Sequence, residues 1–255
     1  MAEIRASRGG KLAPQVPPAS ADKARAPLGH MCGLSGIVFS ILLVVALVLV
    51  RQAPGLGVPD SVYTAFYQGD SDILVILGLY IVPFAGICFL WHMAATRAVL
   101  ARFPGASPEI PRMLQQASGV IWVCMLFAGS AVFGAVALLS EFSVDPLPAA
   151  DVARALASTG YGLVFVYGVR VAGMYMITTI TMARKAGVMP GWLAVLGYLA
   201  AAFLLVSTTF HPAILLVFPA WVVVVSILAL FRSSGSPPHD HTSLVEETHV
   251  DTDQH

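Results

Sequence analysis

The feature of this sequence that most constrains its fold is a stretch of 46 residues, 186–231, that contains no Asp, Glu, Lys or Arg. As one straight helix it would be roughly 70 Å long, more than twice the ~30 Å hydrocarbon core of a bilayer. The stretch must therefore fold back on itself. Its only turn signal is the polar run 207–212, so we predict two membrane spans that are separated there, with Pro212 as the first residue of the second helix.

The rest of the chain is also poor in charge. Hydrophobic residues make up 57% of the sequence and charged residues only 11%, whereas soluble domains carry about 25% charged residues. Four more apolar runs are long enough to cross a bilayer, and they are residues 31–50, 73–96, 118–140 and 160–183. We therefore predict an all-α fold, a polytopic bundle of six transmembrane helices.

Composition divides the chain into three parts. Residues 1–30 are rich in Ala, Pro, Gly and Arg, and we expect a disordered cytoplasmic tail there. Residues 31–232 are predicted to form the six-helix transmembrane domain, and residues 233–255 a second disordered tail, which is polar and acidic. The formal net charge is zero and no basic stripe interleaves with aromatic residues, so we expect no nucleic-acid partner.

Lys and Arg are distributed unequally between the two ends of the predicted helices. The side that holds both tails carries eleven of them, whereas the opposite side carries two, Arg51 and Arg154. Because short cytoplasmic segments are enriched in Lys and Arg, both termini are predicted to be cytoplasmic. The chain has eleven Arg against three Lys, which points to a GC-rich bacterial genome, so the expected location is a bacterial inner membrane.

The two long loops on the opposite side contain helix signals of their own. Asp60 is placed to cap a short helix that carries Tyr63, Phe66 and Tyr67. Such aromatic residues favour the headgroup layer of a membrane. In the second loop, residues 146–158 are predicted to extend the fourth transmembrane helix outward.

Arg170 lies near the middle of the fourth predicted span, and no Asp or Glu lies within any predicted span. A charged residue at the centre of a span costs roughly 2.5–3.5 kcal/mol on insertion scales and usually faces the interior of the bundle. At 100° per residue, the same helix face carries Tyr167 and Thr178. Together with Tyr80 on the second span, these residues are the candidate intramembrane polar site.

Three interpretations of Arg170 remain open at this point. It donates hydrogen bonds to Tyr80 and to the carbonyl groups that Pro83 exposes, and so stabilises the bundle. It binds an anionic group, such as a lipid phosphate or a carboxylate solute. It pairs with an acidic residue on a second chain.

Other motifs are explained better by helix packing than by chemistry. Gly33, Ser35 and Gly36 match the GxSG motif of rhomboid-type intramembrane proteases, but the sixth span has no histidine in its interior to act as the base. His92 and His211 are expected near opposite faces of the membrane, each at an interface or hydrogen-bonded. We assign no catalytic residue, no metal ligand and no cofactor.

Several stretches resemble uncharacterised six-helix membrane proteins that are common in actinobacteria. They are Ala65-Phe66-Tyr67 followed by Ile73-Leu74-Val75, Ala155-Leu156-Ala157-Ser158-Thr159-Gly160-Tyr161, and Ala186-Gly187-Val188-Met189-Pro190-Gly191-Trp192-Leu193. The last stretch is the most specific, since it resembles the G-x-L/M-P-x-W-L turn of such proteins. The resemblance covers roughly residues 30–232, and it implies the fold and the membrane location without an activity.

The expected function is that of a non-enzymatic membrane protein, either a structural or interaction subunit or a small-ligand binder. The alternative is a small transporter or lipid-handling protein with an anion-binding cavity around Arg170. Expected partners are membrane lipids and either another membrane protein or a second copy of the chain.

Overall fold

A computed structural model describes residues 25–68, 72–103, 109–142, 147–207 and 211–234 of the chain. Every regular element in these ranges is a helix, as predicted. The first helix begins at Arg25, earlier than the predicted boundary at residue 31. The last helix ends at Ser234, two residues into the second predicted tail. The rest of both predicted tails lies outside the described residues.

Nine α-helices and one π-helical segment make up the described chain. They are α1 Arg25–Val50, α2 Asp60–Gln68, α3 Ile73–Leu100, α4 Glu109–Phe133, α5 Ala135–Phe142, α6 Ala150–Tyr161, the π-helical segment Gly162–Gly168, α7 Val169–Lys185, α8 Gly191–Val206 and α9 Ile214–Ser234. The π-helical segment joins α6 and α7 into one rod of 36 residues. The predicted outward extension of the fourth span is confirmed in α6, and the predicted loop helix in α2.

Five of these rods are long and apolar enough to cross a membrane, and they are α1, α3, α4, the α6–α7 rod and α9. The chain is therefore a multi-pass membrane protein by the length and composition of its helices. Helix α8 is also apolar, but it has 16 residues, which corresponds to about 24 Å. The break between α8 and α9 falls at the predicted polar run, although α9 begins at Ile214 rather than at Pro212.

The long helices alternate in direction. The start of α1 lies against the end of α9, because a Cβ added to Gly33 would meet the side chain of Leu230. It also lies against the end of α3, where the Cys32 thiol is 3.2 Å from the Thr96 hydroxyl. We call the side of the bundle at which α1 begins and α9 ends the terminal side, and the opposite side the far side.

Helices α9, α1, α3, α4, α7 and α8 follow one another around the bundle, and α9 touches α7 and α8 to close the circuit. Aromatic side chains from five of these helices fill its centre. They are Phe39, Phe89, Trp122, Tyr175, Phe218 and Trp221, and we call them the aromatic plug. Ring centroids within it are as close as 4.8 Å, a separation at which aromatic rings attract each other.

A smaller core lies at the far side, where α2, α5 and α6 cover the start of α3. Arg154 ties this cap together. Its guanidinium donates to the Val58 carbonyl at 2.6 Å, pairs with Asp60 at 2.6 Å and lies 5.2 Å from the centre of the Tyr63 ring. Burial raises the pKa of the Tyr63 phenol, and the nearby guanidinium opposes part of that rise. The cap therefore covers the far-side end of α3.

Candidate functional site

Arg170 follows the π-helical segment, and its guanidinium donates to backbone carbonyl groups. Nη1 lies 2.6 Å from the Val166 oxygen and 3.4 Å from the Phe165 oxygen, and Nη2 lies 3.3 Å from the Ser207 oxygen. The first two acceptors belong to its own rod and the third follows the last turn of α8. Arg170 therefore links the π-helical segment to the far end of α8.

The backbone around Arg170 explains why donors are needed there. In a π-helix each backbone amide donates to the carbonyl five residues earlier, whereas in an α-helix it donates to the carbonyl four residues earlier. Where the first pattern changes to the second, one carbonyl group receives no amide hydrogen bond. The amide of Val169 still bonds the Val164 oxygen at the five-residue spacing, so the carbonyl that is passed over lies just beyond, where Arg170 donates. In a bilayer no water serves such a group, so a side chain must do so.

The same guanidinium lies at the carboxyl end of α8. The last carbonyl groups of a helix lack partners within the helix and carry its partial negative charge, which a cation stabilises. Helix α8 is shorter than the hydrocarbon core of a bilayer, and Arg170 supplies both a donor and a positive charge where it stops. This placement agrees with the stabilising role predicted for Arg170. Its acceptors, however, lie at the end of α8 and on its own rod, and not beside Pro83 as predicted.

The other three predicted site residues are either exposed or hydrogen-bonded elsewhere. Thr178 is buried, and its hydroxyl donates to the carbonyl oxygens of Met174 and Tyr175 on its own helix. Tyr167 and Tyr80 are 60% and 55% exposed, on the outer surface of the bundle. No hydrogen bond recorded for the described residues joins Arg170 to any of the three.

A second polar group, which was not predicted as a site, lies on the terminal side of the aromatic plug. His92 is fully buried in α3, and its Nδ1 lies 2.9 Å from the Cys32 carbonyl oxygen. A carbonyl can only accept, so this bond requires Nδ1 to carry the proton. The neighbouring Cys32 thiol contacts the Thr96 hydroxyl at 3.2 Å.

Ser226 of α9 lies beside this histidine. A Cβ added to Gly36 would come within 2.1 Å of the Ser226 hydroxyl and 2.6 Å of His92 Nδ1, so those two atoms are no farther apart than the sum of these distances. The Ser226 hydroxyl is nevertheless buried without a hydrogen-bond partner. Only a glycine at position 36 leaves room for both groups.

Gln115 and Tyr175 meet at the same level between α4 and α7. The Gln115 amide donates to the Thr179 hydroxyl at 3.0 Å, while its Oε1 has no partner. The Tyr175 hydroxyl lies beside Gln115 and Thr179 without a hydrogen bond of good geometry to either. It is also close enough to the Cys32 thiol to interact with it electrostatically. Through Tyr175, these contacts connect Gln115 and Thr179 with Cys32.

Trp221 is connected to the group by its ring, whose centroid lies 6.3 Å from that of Tyr175. Its Nε1 would lie 3.1 Å from a Cβ added to Gly197, a position that also approaches Ile180, and it has no hydrogen-bond partner. We define the polar layer by its seven members. They are Cys32, His92, Gln115, Tyr175, Thr179, Trp221 and Ser226.

Unpartnered polar atoms are concentrated in the polar layer. Five buried side-chain atoms in the described part of the chain lack a hydrogen-bond partner, and one of them, Arg154 Nε, belongs to the cap. The other four are Gln115 Oε1, the Tyr175 hydroxyl, Trp221 Nε1 and the Ser226 hydroxyl. A buried polar group without a partner costs about 1–3 kcal/mol, and ordered water commonly serves such groups in proteins.

The far side of the plug has the opposite character. A cavity of about 30 Å³ lies there, lined almost entirely by apolar side chains of α1, α4, the π-helical segment, α7, α8 and α9. Trp122 and Phe218 of the aromatic plug form part of its wall. The plug therefore separates an apolar cavity from the polar layer.

Sequence reasoning missed the polar layer because its members come from five helices and no spacing along the chain connects them. His92 was correctly expected to be hydrogen-bonded, but its partner, the Cys32 carbonyl, was not predicted. A signal was present in Ser226, which lies inside an uncharged predicted span, but Gln115 precedes the predicted span 118–140. The predicted boundaries therefore did not bring the two residues to one level.

The GxSG segment is explained by packing, as expected. Gly33 and Gly36 are the points where α1 approaches α9, and the Ser35 hydroxyl donates to the carbonyl groups of Met31 and Cys32 on its own helix. Within the described ranges, no group of three or more His, Cys, Asp or Glu side chains is arranged to hold a metal ion.

Fold and site together define an all-helical, multi-pass membrane protein with a buried polar layer. Comparison with protein-family models, with curated proteins and with solved structures gives no match.

Proposed function

We propose that this chain is a non-enzymatic protein of a bacterial inner membrane that binds a small neutral molecule in its polar layer. In this proposal the chain crosses the membrane six times, with α8 as the fifth crossing and the terminal side in the cytoplasm. The excess of Lys and Arg on that side supports the orientation. The resemblance to six-helix actinobacterial membrane proteins belongs to the same proposal.

The four unpartnered atoms of the polar layer carry the binding proposal. Trp221 Nε1 is a donor, Gln115 Oε1 is an acceptor, and the hydroxyl groups of Tyr175 and Ser226 can act as either. Molecules with both donors and acceptors can satisfy atoms of all these kinds. No Asp, Glu, Lys or Arg belongs to the layer, so a charged ligand would be desolvated there without a counter-ion. The occupant we propose is a small neutral molecule, with water as its simplest form.

Arg170 favours this proposal over an anion-binding transporter. Its guanidinium already donates to three carbonyl oxygens. An anion would have to compete with those bonds, two of which serve backbone groups that have no water available.

The topology has a direct test. Single cysteines at Ser61 and Ala149, introduced after the native cysteines are replaced, should react with a membrane-impermeant maleimide added to intact cells. Cysteines at Ser107 and Ser234 should react only after the cells are opened. Labelling of position 107 in intact cells would contradict six crossings with cytoplasmic termini.

Occupancy of the polar layer is tested by X-ray radiolysis of the purified protein in isotopically labelled water. Radicals form from bound water, so a side chain beside an ordered water is oxidised even when it is buried. We expect Trp221 to be labelled more than Trp122, which is equally buried but faces the apolar cavity (6% and 7% exposed). The double variant Tyr175→Phe, Ser226→Ala should lower the labelling of Trp221. Equal labelling of both tryptophans would contradict a polar occupant.

A further inference from the structure

The arrangement of the plug points to more than binding. We propose that the ring of helices is a conduit for small neutral solutes, and that Phe218 is its gate. This inference rests on the proposed function, since it assigns the polar layer as the terminal-side half of the path. The far-side half is the apolar cavity.

The aromatic plug lies between the two halves. Trp122 and Phe218 line the cavity on one side. Tyr175 and Trp221 belong both to the plug and to the polar layer, and each carries an unpartnered polar atom. Plug, cavity and polar layer therefore share side chains, and the plug is the layer that a solute would have to pass.

Phe218 is the plug residue whose movement would join the two halves. Its ring contacts those of Phe39, Phe89, Trp122, Tyr175 and Trp221, at centroid distances of 4.8–6.4 Å. No other plug residue combines contact with all the others and a place in the cavity wall.

The backbone beside Phe218 is suited to such a movement. Pro219 has no amide hydrogen, so the carbonyl group of Leu215 receives no bond from it and the helix is weakened there. The residues before the proline, Ile214, Leu215 and Phe218, all line the cavity. The Ser40 hydroxyl shares its hydrogen between the Gly36 carbonyl of its own helix at 2.8 Å and the Pro219 carbonyl at 3.1 Å, so α1 contacts α9 on the terminal side of this weak point.

The path selects by charge and by size. Among the described residues that line the cavity or form the polar layer, none is Asp, Glu, Lys or Arg, so an ion would cross without compensation for its lost hydration. A volume of about 30 Å³ holds one or two water-sized groups. The solutes that fit are small, neutral and able to form hydrogen bonds.

The experiment measures solute entry into proteoliposomes of phosphatidylethanolamine and phosphatidylglycerol by stopped-flow light scattering. Urea is the neutral probe, and guanidinium is its charged counterpart of similar size and shape. The parent protein should speed urea entry above that of protein-free vesicles. Phe218→Ala should speed it by about a further tenfold, as expected when one or two ring contacts are removed from the barrier.

Two variants control for folding and position. Phe218→Leu keeps an apolar side chain and should give an intermediate rate, which preserves the test if the alanine variant fails to fold. Leu216→Ala alters a lipid-exposed residue of the same helix and should match the parent. Guanidinium should enter no faster than it does without protein.

Urea entry that stays at the protein-free rate for the parent and both Phe218 variants would overturn the conduit. Guanidinium entry as fast as that of urea would overturn the assigned solute class. Radiolysis of the same proteoliposomes separates the two proposals. Strong labelling of Trp221 without urea entry leaves binding intact and removes transport, whereas equal labelling of Trp221 and Trp122 removes both.

Discussion

Arg170→Lys should destabilise the bundle nearly as much as Arg170→Ala, by about 1–3 kcal/mol, the range for leaving a buried polar group without its partner. The guanidinium reaches acceptors on two rods, at the Val166 and Ser207 carbonyls, with separate nitrogen atoms. A lysine ammonium is a compact charge without that planar fork, and it cannot span both acceptors. Arg170→Leu should cost a similar amount, because it leaves the carbonyl groups without donors.

The measurement is the free energy of unfolding in mixed micelles, with Arg184→Ala as the control. Arg184 is an exposed residue at the opposite end of α7, so its loss should change stability by less than about 0.5 kcal/mol. A lysine variant as stable as the parent would show that charge, and not the fork, is what matters at position 170. A leucine variant more stable than the parent would contradict the stabilising role and return attention to an anionic ligand.

Gly160→Ala should be among the most damaging single substitutions in the protein. A Cβ at this position would lie 2.7 Å from the Gly129 carbonyl oxygen and 2.8 Å from the Phe133 amide nitrogen. Both are backbone atoms of α4, so no side chain can rotate away and the two helices must separate. Overpacking of this kind costs about 1–3 kcal/mol and sometimes more.

Gly162→Ala is the matched control for this prediction. It adds the same methyl group two residues farther along the same rod, where nothing lies within 4 Å. Alanine has a higher helix propensity than glycine, so this variant should be neutral or more stable by up to about 1 kcal/mol. Thermal unfolding in detergent should separate the two variants clearly. Equal stability would mean that α4 and α6 pack less closely than described.

A feature of this fold is predictable from the sequence when residues close to it in the chain determine it. The break between α8 and α9 was predictable because an uncharged stretch of 46 residues is too long for a single span and has one polar run. Helix α2 was predictable from Asp60, and the extension α6 from its position before the fourth span. The π-helical segment was not, because no residue type specifies it and its carbonyl groups depend on Arg170.

The candidate site shows the same division. Arg170 stands out in any hydropathy profile, and its position inside the bundle follows from its charge. Its acceptors could not be predicted, since Ser207 approaches it only through the packing of α7 against α8. The polar layer was even harder to predict from the sequence. Its residues are individually ordinary, and what makes them a site is the absence of partners around Gln115 Oε1 and Trp221 Nε1, which appears only after the helices are packed.

In the proposed arrangement of six crossings, the short helix α8 also affects the lipid around it. Its length of about 24 Å falls some 6 Å short of a typical hydrocarbon core. Its outward side chains, such as Leu199 and Phe203, are exposed on the surface of the bundle. Acyl chains beside this helix must therefore shorten or tilt to match it, while those beside α3 need not. The annulus of lipid is then thinner on one flank of the protein, and the resulting hydrophobic mismatch favours thin, fluid regions of the bilayer.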